Sequence, residues 1–366
     1  MNYQASACFS PARQSEPVAE SSLRVVLAPM EGVIDAPMRR LLTGIGGYDR
    51  CVTEFIRVTD VLLPERVFLR LCPELESDGC TEHGVPVYTQ LLGSNPVALA
   101  RNAKRAVALG ARGVDLNFGC PAKTVNNSMG GSILLRDPAH VGVIVKSVRD
   151  EVDPRVPVTA KIRLGYDNHD ALPEIVDAIR EAGATELAIH ARTKFDGYKP
   201  PAWWSTVRPV MNRGVNTTYI NGEIWNVSDA VCARQQSGCE HVMLGRSALA
   251  APDLARRIRA DECGECMELM PWLAVSHLVE AQFLRSDCHS ERHIGNRTKQ
   301  WLAYLKRTYP EASQLFASLR TLHDTRSIVA AFRTHRHSLK ENPLASETDQ
   351  VFSGSTRQPL DGSPAT

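Results

Sequence analysis

The sequence lacks an excess of either charge, a membrane-length apolar run, a disulfide framework and a zinc-ligand spacing, and each absence removes a class of function. Lys and Arg number 42 against 41 Asp and Glu, so the total charge points to no polyanionic partner and only its distribution could. No apolar stretch approaches the roughly 20 residues needed to span a bilayer, so no membrane partner is expected. The ten cysteines are scattered and follow no secretory signal, which predicts reduced thiols and a cytoplasmic protein. Cys263-Gly264-Glu265-Cys266 is a lone CxxC, and Cys239 and His241 lie around the start of a strand pattern, so no metal is expected.

What is present is a hydrophobic content of 43%, enough for a sizeable core in 366 residues. Eight short, β-branched apolar runs follow one another: Arg24–Ala28, Asp49–Phe55, Val85–Leu91, Val114–Phe118, Val156–Ile162, Glu186–Ala191, Asn216–Ile220 and His241–Leu244. Runs that are apolar throughout fit strands buried on both faces. Helical spacing fills most of the gaps, at Asn95–Leu109, Pro138–Val152, Ala171–Ala182, Val227–Gln236 and Ser247–Arg259, whereas Cys72–Gly84 reads as a loop. Eight β–α units predict an α/β chain closed as a (β/α)8 TIM barrel over residues 23–260, after an irregular arm at 1–22.

Strand signals stop near Asp261. Helices are predicted at Leu273–Phe283, Arg297–Tyr309, Pro310–Leu322 and Ser327–His335, making residues 261–338 a small C-terminal helical domain. The polar tail at 339–366 is expected to be disordered. Charge is not balanced here: His289 to Lys340 holds ten basic residues and three acidic ones, with Trp301, Tyr304 and Tyr309 interleaved. Basic and aromatic residues together suit RNA, although Trp301 also fits a core position.

Active sites of such barrels lie at the C-terminal ends of the strands. Those ends carry Pro29-Met30-Glu31-Gly32, Gln90, Asn117-Phe118-Gly119-Cys120-Pro121, Lys161 with Arg163, His190-Ala191-Arg192-Thr193, Asn221-Gly222-Glu223 and Gly245-Arg246. Gly222 and Gly245 on the last two strands would let backbone N–H groups approach a phosphate, with Arg246 beside them. Cys120 stands on a sharp turn beside the polar segment Lys123 to Gly131, where a thiol can serve as acid, nucleophile or ligand.

Taken in order, Leu27 to Gly32, Asp115 to Pro121 and Asn221 to Ile224 resemble the tRNA-dihydrouridine synthases, over about Val25 to Leu322. Thr53-Glu54-Phe55, Arg57 and Lys299-Gln300-Trp301-Leu302 are similar to the bacterial C type, which acts on uridine 16 of the D-loop. The resemblance implies FMN as cofactor, NADPH as reductant, tRNA as partner and a monomeric enzyme. It places Pro29, Met30, Glu31, Gln90, Lys161 and His190 along the flavin and Asn221, Gly222, Glu223, Gly245 and Arg246 around its phosphate. It makes Cys120 the catalytic acid, and Arg57, Asn117, Tyr198, Arg297, Lys299, Tyr304 and Arg320 contacts to tRNA. Met129 departs from the small residue common at its position. A reductase of a free pyrimidine is the nearest rival, and the basic helical domain argues against it. An RNA-binding protein with a vestigial flavin site is the second, against which Cys120, Lys161, His190 and Arg246 all stand intact.

Overall fold

The computed structural model describes residues 22–341 apart from 214, 216 and 288–292. Nearly all of the expected arm and most of the expected tail therefore lie outside the described residues, as do Cys8, Cys288 and Arg292. The chain divides into two units at Met270 and Pro271.

The first unit is a closed parallel barrel. Its strands are β1 (Val25–Leu27), β2 (Arg50–Val52), β3 (Val87–Leu92), β4 (Val114–Phe118), β5 (Val158–Arg163), β6 (Glu186–His190), β7 (Thr217–Asn221) and β8 (His241–Leu244). Each pairs in parallel with the next, and β1 pairs with both β2 and β8, which closes the ring. All three β1 residues and all six of β3 are buried, because helices cover one face and the barrel interior the other. Val26, Ala28, Val52, Ala188, Tyr219 and Met243 pack together in the core. Some of the crossover helices begin at side-chain caps: Asp35, Asn95 and Asn226 accept from Met38, Ala98 and Asp229 backbone N–H groups. Such caps satisfy N–H groups that a helix start leaves unpaired.

Four local features add to the sequence reading or depart from it. A two-residue strand, Ile56–Arg57, follows β2 and pairs with the end of β3. The second crossover does contain a helix, Glu65–Leu71, ahead of the predicted loop, whose start is itself a 3-10 turn, Pro73–Ser77. Between β6 and β7 the chain runs as a 3-10 helix, Trp204–Arg213, with Pro209 inside it. The expected helix Ser247–Arg259 is two, Arg246–Ala250 and Leu254–Glu262, because Pro252 cannot continue the first.

The second unit holds helices Trp272–Gln282, Asn296–Leu305, Glu311–Leu319 and Thr325–Glu341, with a π turn at Phe283–Asp287. The last helix extends past Leu339, where a disordered tail was expected to start. Trp272, Phe283, Trp301, Leu305, Tyr309 and Phe332 form its core. Trp272 packs on Tyr309 with ring centroids 5.5 Å apart and donates to His335 Nε2 at 2.9 Å. Trp301 and Tyr309 are thus core residues and not stacking platforms, and only Tyr304 of the three aromatics is half-exposed.

Candidate active site

The strand ends converge on one mouth of the barrel. β4 delivers Cys120 through a turn that is held at both of its backbone polar groups. Asn117 Oδ1 accepts the Gly119 and Cys120 N–H groups at 3.0 and 2.9 Å. The Cys120 carbonyl accepts from Asn126 Nδ2 at 2.9 Å and from the Ser132 N–H at 3.0 Å. The segment beyond it, which reads in the sequence as a mobile polar loop, is a short helix, Lys123–Asn126, followed by a 3-10 turn, Gly131–Arg136. Met129 there has φ +57°, a left-handed conformation that disfavours any residue with a Cβ, and its side chain is exposed. Burial pushes the Cys120 thiol up and the carboxylate of Glu31 adds to this, against a backbone hydrogen bond from Ala122 and the charges of Arg163 and Arg57. The thiol is therefore un-ionised at neutral pH.

Four basic side chains, Lys161, Arg163, His190 and Arg192, come from the neighbouring strand ends. Lys161, half-exposed on β5, points its Nζ to Asn221 Oδ1 at 3.2 Å. Burial and the neighbouring Arg163 bring its ammonium down to about 8. His190 is buried, and desolvation together with Arg163, Lys161, Arg192 and Arg246 holds its imidazole well below the usual value. Arg192 Nη1 lies 3.2 Å from His190 Nε2. Arginine can only donate, so Nε2 accepts and the ring proton sits on Nδ1. Arg163 is itself buried and ties two loops together, donating to the carbonyls of Gly119, Thr193 and Gly197 at 2.8, 2.9 and 2.8 Å.

The ends of β7 and β8 form an ionic cluster. Glu223 takes Arg192 at 2.7 Å and Arg246 at 3.1 Å. Burial opposes its ionisation, but the hydrogen bonds of Arg192 and Trp225 and the charges of both arginines keep its carboxyl below the ordinary value. One carboxylate facing two guanidinium groups leaves positive charge at this end of the mouth, and Glu223 serves the arginines as anchor. Gly222 has φ +109°, and a Cβ there would stand 2.7 Å from His190 Cδ2. Trp204 Nε1 donates to its carbonyl at 2.8 Å. At Gly245 a Cβ would meet Met30 Sδ at 3.4 Å and Ala28 Cβ at 3.6 Å, so these residues share one wall.

The remaining expected residues divide. Gln90 is fully buried under this surface, bonded to Asp115 and Asn117. Pro29 and Met30 are half-exposed and Glu31 exposed on the loop after β1, whose Gly32 N–H is held by Glu54. Arg57 is exposed and grips the loop after β4, through Thr124 O at 3.1 Å and Ser128 Oγ at 2.5 Å. A cavity of about 130 Å³ opens beside it, lined by Arg57, Asp60, Ser94, Asn95, Val125 and Ser128 among others. Tyr198 is exposed above Arg163 and Arg246, whose guanidinium carbons lie 5.2 and 5.1 Å from its ring centroid. Of the four residues of the second unit, three lie on helix Asn296–Leu305 and Arg320 follows helix Glu311–Leu319 as its cap: Arg297 and Arg320 are exposed, Tyr304 is half-exposed, and Lys299 Nζ donates to the Leu322 carbonyl at 2.7 Å. Sequence reasoning gave Arg163, Arg192 and Asp115 no role, although Arg163 and Arg192 stand at strand ends and Asp115 opens the stretch Asp115 to Pro121. Among the described residues no group of three His, Cys, Asp or Glu is placed to hold a metal ion, and no helix is long and apolar enough to cross a membrane.

A family model described as "Dihydrouridine synthase (Dus)" matches residues 26–350. A tRNA-dihydrouridine(16) synthase of Shewanella oneidensis is 48% identical over 87% of this chain and 100% of its own. Proteins of the same name from Pseudomonas putida and Yersinia pestis are 48% and 46% identical, covering 82% and 85% of this chain and 94% and 99% of theirs. A solved histamine dehydrogenase from Rhizobium sp. 4-9 superposes with a TM-score of 0.50 at 15% identity, over 71% of this chain and 48% of that one, a likeness of fold alone. With the family model matching most of the chain and relatives near half identical along it, the chain belongs to the dihydrouridine synthase family.

Proposed function

We propose that this protein reduces the C5–C6 double bond of a uridine in tRNA, at position 16, with FMN as its resident flavin and NADPH as the source of electrons. The observation that carries the reading is an un-ionised thiol, Cys120, fixed on a strand end across a mouth that also holds a depressed ammonium, Lys161, and a neutral imidazole, His190. The donors suit a flavin. Lys161 and Asn221 can meet the electron-rich edge of its ring, the His190 Nδ1–H adds a neutral donor, and Arg246 supports an anion where Gly222 and Gly245 clear the approach. When bound, FMN supplies the hydride that C6 of uracil accepts.

The chain's own residues do the rest. The C4 carbonyl of uracil draws electrons, so charge gathers at C5 and O4 as C6 is attacked, and C5 needs a proton. Cys120 gives it as a thiol, a donor that needs no activation at neutral pH. The uracil ring must leave the RNA stack to enter the mouth. The exposed Arg297 and Arg320 of the second unit meet phosphates, with Arg57 and Tyr198 at the barrel.

Stopped-flow absorbance of the two half-reactions tests the assignment. Cys120→Ala is expected to stay yellow and to be bleached by NADPH at a near-parental rate, after which tRNA fails to reoxidise it while oxygen still does. Reoxidation by tRNA at the parental rate removes Cys120 from the mechanism. Mass mapping of dihydrouridine in tRNA from cells lacking the gene tests the position, and retention of dihydrouridine at position 16 refutes it.

A further inference from the structure

We propose that Asp115 is a positioning residue for the reaction: it terminates a directed side-chain relay whose far end holds the turn bearing Cys120. The proposal rests on the reading of Cys120 as the acid. Asp115 lies on β4 inside the barrel, 2% exposed, and reaches the groups that face the mouth by hydrogen bonds through Gln90, itself 0% exposed, and by its charge on Lys161. Thr159 Oγ donates to Asp115 Oδ1 at 2.5 Å, and Gln90 Nε2 donates to Asp115 Oδ2 at 2.7 Å. Gln90 Oε1 then accepts Asn117 Nδ2 at 2.8 Å. Asn117 Oδ1 is left to accept the N–H groups of Gly119 and Cys120 at 3.0 and 2.9 Å.

The direction of this chain is what matters. Gln90 and Asn117 are amides, each able to present oxygen or nitrogen at either side with little change of shape. Two backbone N–H groups at the turn demand an oxygen from Asn117. That demand is met only if Asn117 turns its nitrogen to an oxygen of Gln90, and Gln90 then needs an acceptor for its own nitrogen. Asp115, whose two oxygens accept from Gln90 and Thr159, supplies it. A flipped Gln90 would aim its nitrogen at Asn117 and drive the Asn117 nitrogen against two N–H donors. A buried unmet donor is costly, so the flip loosens the turn. A side chain that merely filled space at 115 would leave the Gln90 nitrogen with no acceptor and impose no direction.

The test is a polarity swap. Asn117→Asp puts carboxylates on both sides of Gln90 and is expected to frustrate the relay, whereas Asp115→Asn alone can keep it, with its oxygen on Gln90 and its nitrogen on the Thr159 hydroxyl, which accepts as well as donates. Together they restore it in reverse. The new amide at 115 accepts from Thr159 and donates to Gln90 Oε1, Gln90 donates to the new carboxylate at 117, and that carboxylate accepts both turn N–H groups. The flavin-loaded proteins are treated with iodoacetamide, and alkylation of the Cys120 peptide is followed by mass spectrometry alongside thermal unfolding. Asn117→Asp is expected to speed alkylation of Cys120 several-fold, Asp115→Asn to leave it within about twofold of the parent, and the double variant to return to within about twofold as well, a rescue that independent effects cannot produce. Asp115→Leu, which leaves Gln90 Nε2 with no acceptor, is further expected to slow reoxidation by saturating tRNA about tenfold or more through misplacement of the donor, with the tRNA concentration dependence unchanged. If one single variant is too unstable to label, recovery of the melting temperature in the double variant supports the relay. A double variant that equals the sum of its singles in alkylation and melting overturns the relay, and leaves the acid reading standing so long as Cys120→Ala still fails on tRNA. If Cys120→Ala reoxidises on tRNA like the parent, the acid reading falls and the proposal falls with it.

Discussion

At the scale of single residues, the site is set by how burial treats charge. Lys161 is held at about 8 against an ordinary 10.5, so between those values the unfolded chain binds more protons than the folded one. Stability from this group therefore rises with pH through that window, and below it the folded protein carries the full cost of a desolvated ammonium. Urea unfolding of the flavin-free parent and of Lys161→Met is expected to show the variant more stable at pH 7, with the gap narrowing toward pH 10. A gap that widens refutes the sign. Arg246 shares Glu223 with Arg192, so its removal takes charge from the anion site without stranding the carboxylate. Arg246→Ala is expected to lower flavin retention on gel filtration with little change in melting temperature, whereas Arg192→Ala, buried beside His190, costs both. The strand-end residues were legible because the fold dictates where chemistry sits. Arg163 was not given a role because its three carbonyl partners come from separate loops, Gly119 after β4 and Thr193 and Gly197 after β6, which no sequence spacing relates.

At the scale of elements, the eight barrel strands were legible because each is buried on both faces and reads as an apolar run. Ile56–Arg57 was not, since two residues carry no periodicity and their pairing depends on the overhang of β3. The short helix Glu65–Leu71 and the 3-10 passage with Pro209 likewise fall below what pattern can resolve. Turn geometry gives a sharp expectation at Gly222. Its φ of +109° and the 2.7 Å approach of a Cβ to His190 make Gly222→Ala both strained and obstructed. It is expected to destabilise the barrel by about 1–3 kcal/mol, seen as a lowered urea midpoint, and an unshifted midpoint refutes the account. In the second unit, Lys299 is spent on the Leu322 carbonyl, in the turn that follows helix Glu311–Leu319. Lys299→Met is therefore expected to lower stability more than it weakens tRNA binding, and the reverse ranking would return Lys299 to the RNA surface.

At the scale of the whole molecule, a balanced total charge conceals an uneven one, since the basic surplus lies in the second unit. Neutralising Arg297 and Arg320, both exposed, is expected to weaken tRNA binding and to lower the slope of log affinity against log salt by about 0.7 for each phosphate that is no longer neutralised. Reduction of the flavin by NADPH should not change, and equal losses in both assays would indicate damage to the fold. The aromatic half of the RNA expectation did not survive for Trp301 and Tyr309, because composition cannot tell a ring that faces a helix core from one that faces solvent. Ring closure carries a further consequence, for the order of events in time. β1 must pair with β8, and Arg24 N–H reaches His241 Nδ1 across 217 positions of sequence. On the ribosome the first strand leaves the exit tunnel long before its second neighbour is translated, and it waits with one edge unsatisfied. Pairings this remote form late and slowly, so the nascent barrel is an open sheet with a sticky seam, a natural client for chaperones. Pulsed hydrogen exchange during refolding should find the amides along the β1–β8 seam among the last to gain protection.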